Sequence, residues 1–139
     1  MIQDAHTRKI VKALPAGELH VLFEVRSSSR SSQTGEICFP AGVVSAREPK
    51  REAALRETEE ELLVSRNQIE LLDPLDVLVS PGGLYIWPYL GIIKDYQGSF
   101  SKADVDHIFT VLYSGFLRRS RSVIKYPWSL LLKRISPLN

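Results

Sequence analysis

The strongest constraint in this chain is a glutamate-rich segment, residues 49–63, whose composition specifies a helix. It holds Ala53, Ala54, Leu55 and five glutamates, all compatible with a helix, and Pro49 suits a first turn. At about 100° per residue, Leu55, Thr58 and Leu62 fall on one side. Glu57, Glu60 and Glu61 fall on the other, within an arc of roughly 100° joined by Ala53. Their i, i+3, i+4 spacing makes the three carboxylates true neighbours. Like charges so close are unfavourable unless something offsets them, and hard divalent cations prefer carboxylate oxygen. The plain alternative is a solvated acidic face. Glu59, pointing elsewhere, is consistent with a helix that is simply rich in glutamate.

The rest of the chain supplies mostly strands. Residues 20–25 are apolar and β-prone, and residues 26–35 are polar, with five serines, and read as a loop. Ile37, Cys38 and Phe39 form a short strand ended by Pro40. Residues 75–79 form a strand-like run within 69–79, and Ser80-Pro81-Gly82-Gly83 is a turn. Residues 84–93 read as one strand, with Pro88 at an edge or a bulge. Residues 95–102 are a polar loop, residues 108–112 a further strand, and residues 129–135 a final short helix. The expected fold is α+β, with a mixed sheet packed between helices.

With 139 residues, 44% of them hydrophobic, the chain suits a single domain over residues 1–139. A formal net charge of only +2 implies no large nucleic-acid footprint. A single cysteine, Cys38, excludes an intrachain disulfide framework or a Cys-based zinc site, and a reducing cytoplasm is the simplest setting. The first 14 residues carry scattered charge, unlike a signal peptide. No apolar run approaches the ~18 residues that crossing a membrane requires, so no membrane partner is expected.

Flanking residues give the acidic face a fixed context. Gly42 stands before a five-residue gap, Glu48 follows, and after seven more residues comes Arg56-Glu57-Thr58-Glu59-Glu60-Glu61. This array resembles the Nudix box, G-x5-E-x7-R-E-U-x-E-E-x-G-U, with every charged position present. The resemblance implies an α/β/α sandwich with a Nudix loop-helix, and a metal-dependent hydrolase of phosphoanhydride bonds. It implies that Glu57, Glu60 and Glu61 bind magnesium or manganese. Glu57, Arg56 and Glu60 then form the catalytic set, Arg56 orienting the first glutamate and a carboxylate taking the proton of the attacking water. Glu48 contributes to the metal site or braces the loop, and a salt bridge to Arg56 is compatible with either role. Three positions depart from the box. Ala41 replaces a glycine, Leu63 stands where a helix-ending glycine is usual, and Thr58 replaces a bulky aliphatic.

Just upstream, Arg26-Ser27, Ser31, Gly35 and Phe39-Pro40-Ala41-Gly42 are similar to the signature of the coenzyme A pyrophosphatase branch. Ser31 stands where that branch has arginine, with Arg30 adjacent. The similarity spans about residues 19–112. It implies cleavage of coenzyme A, or an acyl derivative, into phosphopantetheine and 3',5'-ADP, with Arg26, Arg30 and Gly42 binding the nucleotide substrate. The partner is then a small molecule, and a homodimer is compatible with this reading. Another nucleoside diphosphate compound, or a non-catalytic nucleotide-binding module, are the alternatives.

Beyond residue 112 the similarity fades. Arg118, Arg119, Arg121 and Lys125 read as a solvated basic surface that could also attract phosphate. Asp104 and Asp106 lie where an extra catalytic carboxylate is often placed, with surface caps as the alternative. His6, His20 and His107 show no ligand spacing, and Cys38 reads as buried packing.

Overall fold

The computed structural model describes residues 19–29, 35–112 and 131–134. Strand β1 (Leu19–Arg26) organises it. Strand alternation sends Val21 and Phe23 to one face of the sheet and Leu22 and Glu24 to the other. Val21 and Phe23 pack with Phe39, Leu90 and Ile92, and the rings of Phe23 and Phe39 stack 4.9 Å apart. Leu22 packs with Leu62, Val64, Ile93 and Tyr96.

Along one edge β1 pairs antiparallel with β7 (Val105–Leu112) over its length. Its other edge is divided. Leu19 to Val21 pair with β8 (Leu131–Arg134), whereas Glu24 and Val25 pair with β2 (Ile37–Cys38). Strand β8 runs parallel to β6 (Tyr89–Ile93), and β6 pairs antiparallel with β3 (Ile69–Pro74). The result is a six-stranded mixed sheet. A separate two-stranded sheet joins β4 (Leu78–Val79) to β5 (Tyr85–Ile86) through the expected turn at Pro81 to Gly83.

The expected helix is present as α1 (Lys50–Leu62). Leu55, Thr58 and Leu62 are buried, as the wheel predicts. Its exposed carbonyls at the C-terminal end are met by the loop before β7. The Ser101 amide donates to the Glu61 carbonyl at 2.8 Å, and the Ser99 hydroxyl to that of Leu62 at 2.6 Å.

Three expectations need correction. The helix expected over residues 129–135 is strand where it is described, because Leu131 to Arg134 fill the gap between β1 and β6. Sheet pairing there overrides a helix-compatible composition. The strand centred on residues 75–79 begins earlier, at Ile69, and stops at Pro74, leaving Asp76 and Val77 exposed before β4. The single strand over 84–93 is two, broken at Trp87 and Pro88. Pro88 lacks a backbone donor, and its carbonyl instead accepts the Leu75 amide at 2.8 Å. The mixed sheet and the loop-helix stand as expected, and α1 is the one α-helix among the described residues. No helix among them is long and apolar enough to cross a membrane.

Leu63 ends α1 in the left-handed region, at φ 51° and ψ 45°. The conformation usually supplied by glycine is therefore kept by a leucine that is 59% exposed. Left-handed backbone costs a side-chain-bearing residue ~1–2 kcal/mol, and glycine returns ~0.5–1 kcal/mol of that as unfolded-chain entropy. Leu63→Gly is expected to stabilise the protein by about 0.5 kcal/mol, visible as a rise of roughly 2 °C in Tm by calorimetry.

Candidate active site

Arg56 stands at the middle of the acidic region. Its Nε and Nη2 donate to the two Glu48 oxygens at 2.8 and 3.1 Å, a bidentate pair. Its Nη1 donates to Glu57 Oε1 at 2.8 Å and reaches Glu60 Oε2 at 3.4 Å, while Nη2 also meets the Val43 carbonyl at 3.2 Å. Glu48 in turn accepts the Ser45 amide at 3.0 Å. The Arg56 bonds, then that amide, hold the Glu48 carboxyl down at about 2, and the two glutamates raise the guanidinium further above its ordinary range. The loop between Gly42 and Pro49 is thus tied to the helix through one side chain.

Gly42 has a steric reason to be glycine. Its Cα lies so close to Glu57 that an added Cβ would overlap that carboxylate. Ala41, beside it, donates its amide to Glu61 Oε2 at 3.0 Å. The glycine lost at this position therefore costs nothing that the backbone N–H supplies.

Glu61 is not on a solvated face. It is 1% exposed, and it lies against Glu24 of β1, also 1% exposed. Burial, then the charge of Glu24 and the hydrogen bond between the two, push the Glu61 carboxyl up to about 9. Burial beside Glu24 therefore favours the protonated carboxyl at Glu61. Burial and the same Glu24 raise the Cys38 thiol to about 12, so Cys38 is packing rather than a nucleophile, as expected. The Glu57 side chain is mostly buried, 13% exposed, whereas that of Glu60 is 57% exposed.

Glu24 is the residue that sequence reasoning missed. A signal existed: it is a charged residue inside an apolar strand, at the same parity as the buried Leu22. Arg26, two residues on, shares that face, and its guanidinium reaches Cys38. At the end of β1 its amide and carbonyl bond Glu36 and Gly35 at 2.9 and 3.1 Å. Arg30 and Ser31, and the basic cluster Arg118, Arg119, Arg121 and Lys125, lie outside the described residues, as does His6. The Asp104 carboxylate accepts the Ser101 hydroxyl at 3.0 Å, and its carbonyl accepts the Ser27 amide at 3.0 Å. Asp106 pairs with His107 at 2.7 Å on the surface. His20 meets Thr110 across the β1–β7 ladder at 3.3 Å.

Residues 8–121 match the NUDIX domain, most of the chain. The chain belongs to the Nudix family. Among similar proteins is the peroxisomal coenzyme A diphosphatase NUDT7 of Mus musculus, 30% identical over 106 residues, which cover 73% of this chain and 44% of that one. An uncharacterized Nudix hydrolase NudL of Photorhabdus laumondii is 33% identical over 102 residues, 72% of this chain and 54% of its own. This Nudix chain spans about half the length of the curated relatives it matches. In fold it is similar to a Caenorhabditis elegans Ap4A hydrolase, at a TM-score of 0.62 and 18% identity, covering 76% of this chain and 78% of that one.

The donors of this Nudix site fit a hard divalent cation in kind, since Glu24, Glu57, Glu60 and Glu61 all offer carboxylate oxygen and Glu24 and Glu61 are buried against each other. Among the described residues no three acidic, imidazole or thiol groups converge closely enough to cage an ion as they stand. Glu60, exposed and held only by a 3.4 Å contact to Arg56, has the freedom to turn inward.

Two outcomes follow from this geometry. Gly42→Ala should displace the Glu57 carboxylate while leaving the core intact, lowering kcat by roughly 10–100-fold with little change in Tm. The raised Glu61 carboxyl contributes its stabilisation in full below about pH 4.5 and loses it as pH climbs towards about 9. In chelator-containing buffer, the wild-type Tm should therefore decline from pH 6 to 9, and Glu61→Gln should flatten that decline.

Proposed function

We propose that the chain hydrolyses the diphosphate of coenzyme A or an acyl derivative, releasing phosphopantetheine and 3',5'-ADP. The observation that carries the reaction class is the Arg56 clamp, which holds Glu48 and Glu57 beside the buried Glu24–Glu61 pair. The substrate class rests on the Arg26 to Gly42 signature and on the similarity to a coenzyme A diphosphatase.

Glu57, Glu60 and Glu61 would hold magnesium or manganese, with Glu24 closing the set from β1. A divalent cation there would neutralise diphosphate charge and acidify an attacking water. Arg56 fixes the rotamer of Glu57, so that its carboxylate does not have to be ordered when substrate arrives. Glu60 is the carboxylate with access to solvent, and it takes the proton from water. Arg26, at the mouth of the strand, offers a guanidinium to a nucleotide phosphate. A cation held there would favour the ionised form of the Glu24–Glu61 pair.

Pure protein incubated with coenzyme A and magnesium should yield the two products, separable by chromatography. Glu60→Gln should slow turnover at least ~100-fold without altering Tm, because the side chain is exposed. Turnover of another nucleoside diphosphate compound, with coenzyme A untouched, would sink the substrate assignment but keep the reaction class. That second reading is favoured by Ser31 in place of the signature arginine. If nothing in such a panel is hydrolysed and Glu60→Gln binds nucleotide as well as wild type, the chain is a binding module.

A further inference from the structure

The β4–β5 hairpin stands apart from the main sheet and displays side chains that the core does not use. Leu84 is exposed, Tyr85 is 64% exposed and Trp87 36%. The rings of Tyr85 and Trp87 stack with centroids 5.9 Å apart and planes 26° from parallel. Lys50 Nζ sits 4.2 Å from the centre of the Trp87 ring.

Lys50 ties this aromatic pair to the acidic site. It is the first residue of α1, and Glu57 is seven residues further on. Seven residues turn a helix about 700°, within roughly 20° of two full turns, and advance it about 10.5 Å. Lys50 and Glu57 therefore lie on one line of the helix, two turns apart. The aromatic pair stands at the far end of that line, at the side of the loop that Arg56 holds. The separation is on the scale of a nucleoside's reach from its base to its diphosphate.

We propose that Tyr85 and Trp87 form a stacking platform for the planar base of the nucleotide substrate, with the Lys50 ammonium beside the ring meeting the phosphate on the adjoining ribose. This rests on the nucleotide-hydrolase reading above and adds the subsite that would recognise the base half of the substrate. Every nucleobase has a π-face, so the platform favours a nucleotide over a phosphate ester without a ring. Lys50, next to the indole, complements the charge of that ribose phosphate, while the diphosphate lies two helical turns on, at Glu57. The six-stranded sheet does not include this hairpin, so losing an exposed ring there leaves the helix and its carboxylates in place.

Two measurements test it. In the first, 3',5'-ADP and phosphopantetheine are titrated separately while tryptophan fluorescence is followed. Saturable quenching by 3',5'-ADP, none by phosphopantetheine, and loss of quenching in Trp87→Phe are expected. In the second, Trp87→Ala should raise KM for the hydrolysed nucleotide substrate about ten-fold or more with kcat within two-fold, and Trp87→Phe should restore most of the affinity because phenyl still stacks. Absence of quenching in the wild type, or an unchanged KM in Trp87→Ala, overturns the platform while leaving the hydrolase reading intact. Quenching by 3',5'-ADP in a protein that hydrolyses no diphosphate compound supports the platform and removes the hydrolase reading instead.

Discussion

The guanidinium of Arg56 holds Glu48, Glu57 and the Val43 carbonyl together and touches Glu60. A chain that concentrates glutamates on one helix meets their repulsion at the moment it folds. A planar cation with five fixed donors answers that repulsion and sets geometry at once, which a lysine in the same place would not do. Through Glu48 and Ser45 the same side chain also shapes the loop, and the loop in turn puts Gly42 against Glu57. Helix, loop and acidic centre are therefore a single mechanical unit.

Below that unit the charge is handled differently. Glu24 and Glu61 are taken out of water together, which favours a proton on Glu61. Burying two carboxylates is expensive, and groups perturbed in this way cluster at functional sites. Glu24 belongs to the central strand and Glu61 to the helix, so the pair also records how closely α1 is seated on the sheet. The Ala41 amide, donated to Glu61, adds the loop as a third wall.

Much of this centre was legible in the sequence because helical periodicity is rigid. Once residues 49–63 form a helix, Glu57, Glu60 and Glu61 must be neighbours, and fixed spacing to Gly42, Glu48 and Arg56 brings in the loop. Glu24 was not legible in that way, since its partnership with Glu61 is made across the fold between elements 37 residues apart in sequence. The strand errors turn on context that local composition does not carry. Pairing with β1 and β6 decides residues 131–134, and Pro88 divides residues 84–93. The left-handed residue expected of a glycine was also foreseeable only as a position. That Leu63 adopts it shows the helix end and its Ser99 and Ser101 contacts to be strong enough to hold an unfavourable residue there.

Strand β8 has a consequence for how the molecule assembles. It lies between β1 and β6, in the interior of the sheet, yet it follows every other described strand in sequence. During synthesis, β1 with β7 and β3 with β6 can pair as two antiparallel halves, but the seam between them stays open until residues 131–134 emerge. The parallel β6–β8 ladder pairs residues 40 apart in sequence, the kind of contact whose loop-closure cost slows folding. Strand β8 thus acts as a late fastener. The helix and its carboxylates sit on a sheet whose two halves are joined by β8.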